Sequence, residues 1–373
     1  MSERAVGKKS AGKKSAAGRA ATAADSPAAT ERASDEPSAP AAGRATRPAR
    51  KPTAKSALAA KPASGAPETT QDAVAGAKRV DVFVFGESAG RGLGVRKTYK
   101  LYVGGAFPRS ESGRSYEVRG AGGELLANAA LASRKDARDA VTAARAAVGQ
   151  WSGATAYNRG QVLYRVAELM QGRAGQFAEE IVKAEGVSGA VAERTVAAVI
   201  DRWVWYAGWP DKVAQVAGGA NAVAGPYFNF SVPEPTGVVA VVAPAESSLL
   251  GLVSVVAPVI ATGNTAVVIA SEVRPLPAVT LSEVLATSDV PGGVVNILTG
   301  RTAELAPVLA GHFDVNAIDL TGVPADARAE LERAAAASVK RVFGAEDDWA
   351  AVPGTRRMLA FLETKTVWHP VGI

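Results

Sequence analysis

No cysteine occurs in the 373 residues, so this chain has no thiolate nucleophile, no disulfide and no cysteine-ligated zinc. Its two histidines, His312 and His369, are too few for a metal centre without carboxylates at ligand spacing. A Ser-His-Asp triad would need a nucleophile elbow to present its serine, and no such motif is present. Both histidines read as satisfied or solvent-facing side chains. GESAGRG at 86–92 is glycine-rich, yet it lacks the Lys-Ser/Thr pair and the strand-to-helix setting of a phosphate loop. Glu246 stands in PAESS, between a β-branched run and an apolar helical stretch. A carboxylate there has two uses: general base toward a substrate, or partner for the free N–H groups at the start of the next helix.

The elements that hold Glu246 form a regular alternation. Apolar β-branched runs occur at 237–243, 264–270, 293–300, 316–322 and 338–344, and helical segments separate them at about 247–262, 274–287, 302–311 and 325–337. This spacing predicts an α/β fold with a parallel sheet covered by helices on both faces. The apolar run Leu249 to Thr262 is interrupted by Pro258 and is too short to span a bilayer, so it reads as a buried helix and no transmembrane segment is expected. Upstream, Ser133 with Asp136 predicts a capped helix start before RKDARDAVTAARAAVGQW (134–151). Two more helices are expected over about 156–186 and 188–208, the latter burying Trp203, Trp205 and Tyr206. KLYVGGAFPRSESGRSYEV (100–118) reads as two short strands with SESG as the turn, and PYFNFSVPEP (226–235) as a half-buried strand.

Charge is unevenly spread. Residues 1–61 hold about 13 Lys and Arg against about 5 Asp and Glu, so the net +6 belongs to this stretch and roughly −2 is left for the remainder. Residues 1–77 are rich in Ala, Lys, Arg, Pro and Ser and bury too little apolar surface to offset ordering entropy; they are expected to be a disordered basic tail. Such a tail could meet nucleic acid or another acidic partner by releasing counterions, or simply solubilise the chain. A Gly-containing lead-in follows over 78–98. With no apolar stretch behind MSERAVGKKS, a cytoplasmic location is expected.

KLYVGG (100–105), YAGWPDK (206–212), EPTGVVAVVAP (234–244), ATGNTAVV (261–268), PGGVVNILTG (291–300) and LTG (320–322) occur in an order and spacing that resemble the aldehyde dehydrogenase superfamily from Lys100 to about Val342. The resemblance implies a Rossmann-type nucleotide-binding domain over 99–212 and 236–344. It also implies a small antiparallel oligomerisation element over 213–235 and 356–370. The family's catalytic half should follow SVKRV (338–342), with a Glu general base and then the cysteine. Instead the chain runs FGAEDDWAAVPGT and then RRMLAFLETKTVWHP, which resembles the family's C-terminal strand. The implied chain is a truncated member with the catalytic domain absent and no catalytic residue.

The resemblance further places NAD or NADP at Pro244, Glu246, Ser271, Glu272, Gly300 and Gly322, as a vestigial site. The family's Pro-Trp-Asn-Phe-Pro appears as Pro244-Ala245-Glu246-Ser247-Ser248, and a carboxylate at Glu246 would repel a developing oxyanion. Lys-Pro-Ser-Glu appears as Ile269-Ala270-Ser271-Glu272, without the ribose-binding lysine. Gly-Ser-Thr at the pyrophosphate helix appears as Gly322-Val323-Pro324, with one N–H donor fewer. Cofactor binding is expected to be weakened or lost. Without a domain to close a substrate pocket, Glu246 is expected to serve the helix terminus. The expected function is a catalytically inactive subunit that forms a hetero-oligomer with a full-length aldehyde dehydrogenase, or a homo-oligomer. The alternative is NAD(P)-dependent aldehyde oxidation, alone or in a complex. Strand 361–368 is expected to pair with 226–235 of its own chain, to reach a partner sheet, or both.

Overall fold

The computed structural model describes residues 97–345 and 347–372. The basic tail and nearly all of the lead-in lie outside the described residues. The first elements are β1 (Thr98–Tyr99), β2 (Ser115–Arg119) and β3 (Leu125–Ala130), a small sheet in the order β1-β3-β2. SESG is indeed a turn, closed by Gly113 N–H donating to the Ser110 carbonyl at 2.9 Å. The strands expected on either side of it do not pair with each other, however. Tyr102 bridges to Ile297, while β2 pairs with β3, a strand the sequence reading missed. LLANAA carries small residues and Asn128 where strands usually show β-branched ones, so it gives little strand signal.

Four helices follow: α1 (Arg134–Gly153), α2 (Ala156–Gly172), α3 (Ala174–Glu185) and α4 (Gly189–Ala207). The α1 start is the expected capping box, with Ser133 Oγ accepting from Asp136 N–H at 3.3 Å and Asp136 Oδ2 accepting from Ser133 N–H at 2.8 Å. The single helix expected over 156–186 is two. It breaks after Gly172, a poor helix former, where Arg173 takes φ −116° and turns its guanidinium to Glu283 at 2.6 Å. α3 then stops at Gly186, whose φ of +72° suits a left-handed cap.

A short helix α5 (Val213–Ala217) leads to β4 (Gly219–Asn221) and β5 (Tyr227–Pro235). The doubly wound part follows: β6 (Val238–Val242), α6 (Leu250–Ala261), β7 (Thr265–Ile269), α7 (Leu276–Leu285), β8 (Val295–Leu298), α8 (Thr302–Gly311), β9 (Ala317–Asp319), α9 (Ala325–Ala336) and β10 (Arg341–Phe343). All five strands are parallel, in the order β10-β9-β6-β7-β8. Alternate residues of β6 supply two cores. Val239 and Val241 pack with α6 and α7, and Val238, Ala240 and Val242 pack with α1, α8 and α9. Every residue of α6 is buried, which explains why Ser254, bonded to the Leu250 carbonyl, is its one polar side chain. Its 12 residues rise about 18 Å, well short of a hydrocarbon core of about 30 Å. Among the described residues no helix is long and apolar enough to cross a membrane.

The chain ends with α10 (Arg356–Ala360) and β11 (Leu362–Pro370). β11 runs antiparallel to β5 along its whole length, from Leu362 opposite Pro235 to Pro370 opposite Tyr227, in a sheet ordered β11-β5-β4. The fold-back of 361–368 onto 226–235 is thus present.

Candidate functional site

In this strand order β6 continues to β7 and β8 on one side, and the chain then returns to β9 on the other. The reversal leaves a crevice between the carboxyl ends of β6 and β9, where doubly wound sheets bind ligands. A cavity of about 360 Å3 occupies it, lined by Pro244 to Glu246 on one side and Thr321 to Pro324 on the other. Gly322 makes the close approach possible: a Cβ there would overlap the Ala243 carbonyl.

Of the six nominated residues, Pro244, Glu246 and Gly322 meet at this crevice. Ser271, Glu272 and Gly300 follow β7 and β8 on the same edge of the sheet. Ser271 is buried. Its Oγ donates to the Ala245 carbonyl at 2.8 Å and accepts from Arg274 N–H at 3.1 Å. Glu272 Oε2 accepts from Thr302 N–H at 3.2 Å, so this carboxylate caps the start of α8. Gly300 lies against Ala132, with φ +147°.

Glu246 does not serve the helix terminus as expected. It precedes α6 by four residues, and its Oε2 pairs with Arg274 at 2.7 Å on an exposed surface. Ser247 supplies the cap instead, its Oγ accepting from Gly251 N–H at 2.8 Å. The N-cap position itself is Leu249, which makes no side-chain cap bond, so the Ser247 hydroxyl reaches in from two residues upstream. Next to it, Ser248 gives both its N–H and its Oγ hydrogen to Glu185 Oε1, at 2.9 and 2.6 Å. Helix α9, which follows Gly322 at the crevice, has Pro324 at its N-cap and Asp326 in its first turn. A carboxylate there already meets the positive end of the helix dipole.

The crevice has a third wall that the sequence reading missed. Ala345, Asp347 and Trp349, from the stretch joining β10 to α10, line it as well. Three arginine contacts hold this stretch. Arg202, buried on α4, donates from Nη2 to the carbonyls of Trp349 at 3.0 Å and Ala351 at 2.8 Å, and from Nη1 to Ser254 Oγ. Arg357 on α10 pairs through Nη1 with Asp319 and through Nη2 with Asp347. Asp319 is fully buried at the end of β9, and its Oδ1 also accepts from Thr321 N–H at 3.0 Å and Thr321 Oγ1 at 2.6 Å. The Arg357 guanidinium lies 4.6 Å from the Phe343 ring centre. Tyr206, whose hydroxyl reaches the Gly354 carbonyl at 3.3 Å, has its pKa pushed up to about 12, chiefly by burial. Burial likewise lowers the pKa of Arg202. A sequence signal for Arg202 did exist: it falls on the apolar face of α4, with Val199, Trp203 and Tyr206. Asp319, too, interrupts a strand that is otherwise buried and apolar.

His312 lies away from the crevice, at the end of α8. Its Nδ1 accepts from Asp314 N–H at 3.2 Å, and burial lowers its pKa, which favours neutral imidazole. His369 lies on β11.

Residues 108–345 match the aldehyde dehydrogenase family. The chain belongs to that family. Cytosolic 10-formyltetrahydrofolate dehydrogenase of Mus musculus is 33% identical over 266 residues, which is 69% of this chain and 29% of the relative. The 2-hydroxymuconic semialdehyde dehydrogenase of Pseudomonas sp. (strain CF600) is 36% identical over 256 residues, 66% of this chain and 51% of the relative. Among solved structures, the NAD+ complex of aldehyde dehydrogenase from Bacillus cereus superposes with a TM-score of 0.63 at 26% identity. It covers 66% of this chain and 50% of that one. The chain therefore spans about half or less of the length of these relatives.

Proposed function

We propose that this aldehyde dehydrogenase-like chain is catalytically inactive and acts as a structural or regulatory subunit beside a full-length aldehyde dehydrogenase. One observation carries the reading. The Rossmann-type sheet ends at β10, and residues 344–355 lead straight to α10 and β11, in a chain without a single cysteine. The family's thiol chemistry has no nucleophile here. The catalytic domain that would lie between β10 and the last strand is missing.

The crevice side chains fit a dinucleotide poorly, which supports the same view. Glu246 and Asp347 bring two carboxylates to where a diphosphate would lie, and Trp349 fills part of the space. The nearby cations Arg274 and Arg357 are already engaged with carboxylates. Ile269, at the position of the family's ribose-binding lysine, is wholly buried and apolar. Of the other nominated residues, Ser271 and Glu272 spend their polar atoms on contacts within the chain, and Pro244, Gly300 and Gly322 offer no polar side chain. NAD and NADP binding is therefore weakened or lost.

The β11 edge supports the partner role. β11 pairs on one side only among the described residues, and Trp368, Tyr227 and Phe228 stand exposed beside it. A free edge with aromatic neighbours suits strand addition by a partner sheet. The names of the cytosolic relatives suggest a cytoplasmic setting.

Co-purification of the tagged chain with candidate full-length aldehyde dehydrogenases tests the proposal; recovery of the chain alone, with partners present, overturns it. Calorimetric titration with NAD and NADP tests the crevice, where micromolar affinity would contradict the reading. The second reading, NAD(P)-dependent aldehyde oxidation, draws on the family and on the NAD+-bound neighbour. It requires NADH to form when the pure protein meets an aldehyde.

A further inference from the structure

The amino-terminal edge of the parallel sheet, opposite the crevice, carries a second cavity of about 530 Å3. It lies where α1, α2 and α5 meet the chain entering β6. Arg145 from α1 and Arg159 from α2 both line it, and both are half-buried. Among the described residues, neither guanidinium has a carboxylate within ion-pair distance. Each is tied down on one side only. Arg145 Nη2 donates to Asn316 Oδ1 at 2.6 Å and to the Asp314 carbonyl, and Arg159 Nη1 donates to the carbonyls of Ala154 at 2.5 Å and Ser152 at 3.3 Å.

The Nε atom of each arginine is buried with no hydrogen-bond partner. Buried cationic donors left without acceptors are destabilising, and a purely structural arginine is normally neutralised by a carboxylate. Burial lowers the pKa of Arg159. Two glycines lie beside these groups, and one of them, Gly237, lines the cavity. A Cβ at Gly237 would come 3.4 Å from Arg145 Nη1, and one at Gly263 would come 3.6 Å from Arg159 Cζ. The cavity's acidic lining residue, Glu234, is bound to Lys365 at 3.0 Å, which leaves the two arginines' charge uncancelled.

We propose that this cavity is an anion site, taking a small metabolite by its phosphate or carboxylate group between the guanidiniums of Arg145 and Arg159. Planar guanidinium donors match both oxyanions, and the partly enclosed setting strengthens the attraction. The site is separate from the crevice and does not depend on whether a dinucleotide binds there.

Calorimetric titration of the full chain with inorganic phosphate, and separately with succinate, tests the proposal. Saturable one-to-one binding of at least one is expected. Binding of phosphate alone assigns a phosphoryl ligand; binding of succinate alone assigns a carboxylate. Ala214 is exposed on the α5 side of the cavity, so Ala214→Glu places a competing carboxylate there without removing either arginine. It should weaken binding by about tenfold or more, whereas Ala214→Gln should stay within about threefold of the wild type. Arg145→Gln, which still offers an amide toward Asn316, is a second variant expected to lose binding. Ions collected by the basic N-terminal stretch bind all these proteins alike, so the difference between variants isolates the cavity. No saturable heat with either anion, or equal affinity in the wild type and Ala214→Glu, overturns the proposal.

Discussion

Replacing Arg357 by Met should be among the most damaging single changes in the folded part of the chain. The guanidinium is almost wholly buried and faces Asp319, which has no solvent exposure. Removing it strands a carboxylate whose remaining donors are the N–H and Oγ1 of Thr321. Breaking a buried pair from one side costs about 3–5 kcal/mol, because the surviving charge can neither reach water nor find another counterion. At about 2–4 °C per kcal/mol for a domain approaching this size, Tm should fall by roughly 6–20 °C. Arg357 also holds Asp347, so the crevice wall should loosen with it, and proteolysis within 347–354 should accelerate. Denaturant unfolding followed by circular dichroism gives the free energy. The double variant Asp319→Asn, Arg357→Met removes both charges while leaving an acceptor for Thr321. It should recover at least half of the loss. A loss below about 1 kcal/mol for the single variant, or a double variant less stable than the single, would refute the argument that the stranded charge dominates.

Gly322→Ala should cost about 3 kcal/mol, because the added methyl meets the Ala243 carbonyl and comes within 2.7 Å of the Val242 carbonyl oxygen, and neither strand end can give way cheaply; a Tm within a degree of wild type would contradict this. Asn264→Ala should cost about 2–4 kcal/mol by urea unfolding. The fully buried amide accepts from Gly237 N–H at 2.7 Å and donates to Thr262 Oγ1 and the Phe361 carbonyl, both at 2.9 Å. Burial is the main cause of a raised Glu180 pKa, and one of its oxygens has no partner. The folded state thus holds that proton more tightly than the unfolded chain, and wild-type stability declines as pH rises through the window that opens near the ordinary value of 4.5. Glu180→Gln should therefore be at least as stable as wild type at pH 7, with the advantage vanishing toward pH 4; an advantage that grows with acidity would reverse the sign.

Much of this architecture could be read from short-range pattern. The five parallel strands fall inside the five β-branched runs; β6 and β7 in particular are buried on both faces and hence almost wholly apolar, with Gly237 and Asn264 just ahead of them. The Ser133 capping box could be read because both partners lie within four residues. Where short-range signal was thin, the reading failed. β3 is built of small residues, and one Gly-Arg step splits the long helix in two. Glu246 was assigned to the wrong partner because its position in sequence, just ahead of a helix, hides how far its side chain reaches. Arg274 is 28 positions away and meets it across the turn after β7.

The same contrast separates the existence of the crevice from what it can hold. A 3-2-1-4-5 arrangement of strands creates a gap beside its first strand whatever side chains line it; the alternation of runs predicts the parallel sheet, and the family resemblance points to the residues at the gap. Its contents depend on contacts with no sequence period. Arg357 reaches Asp319 across 38 positions, Arg202 reaches Trp349 across 147, and together they fix a wall made from the stretch that joins β10 to α10. Those arginines are buried and already bonded within the wall, so their charge is committed to holding the chain rather than to a phosphate. The proposed inactive role accords with a crevice that topology keeps in place and that is walled by groups already bonded within the protein.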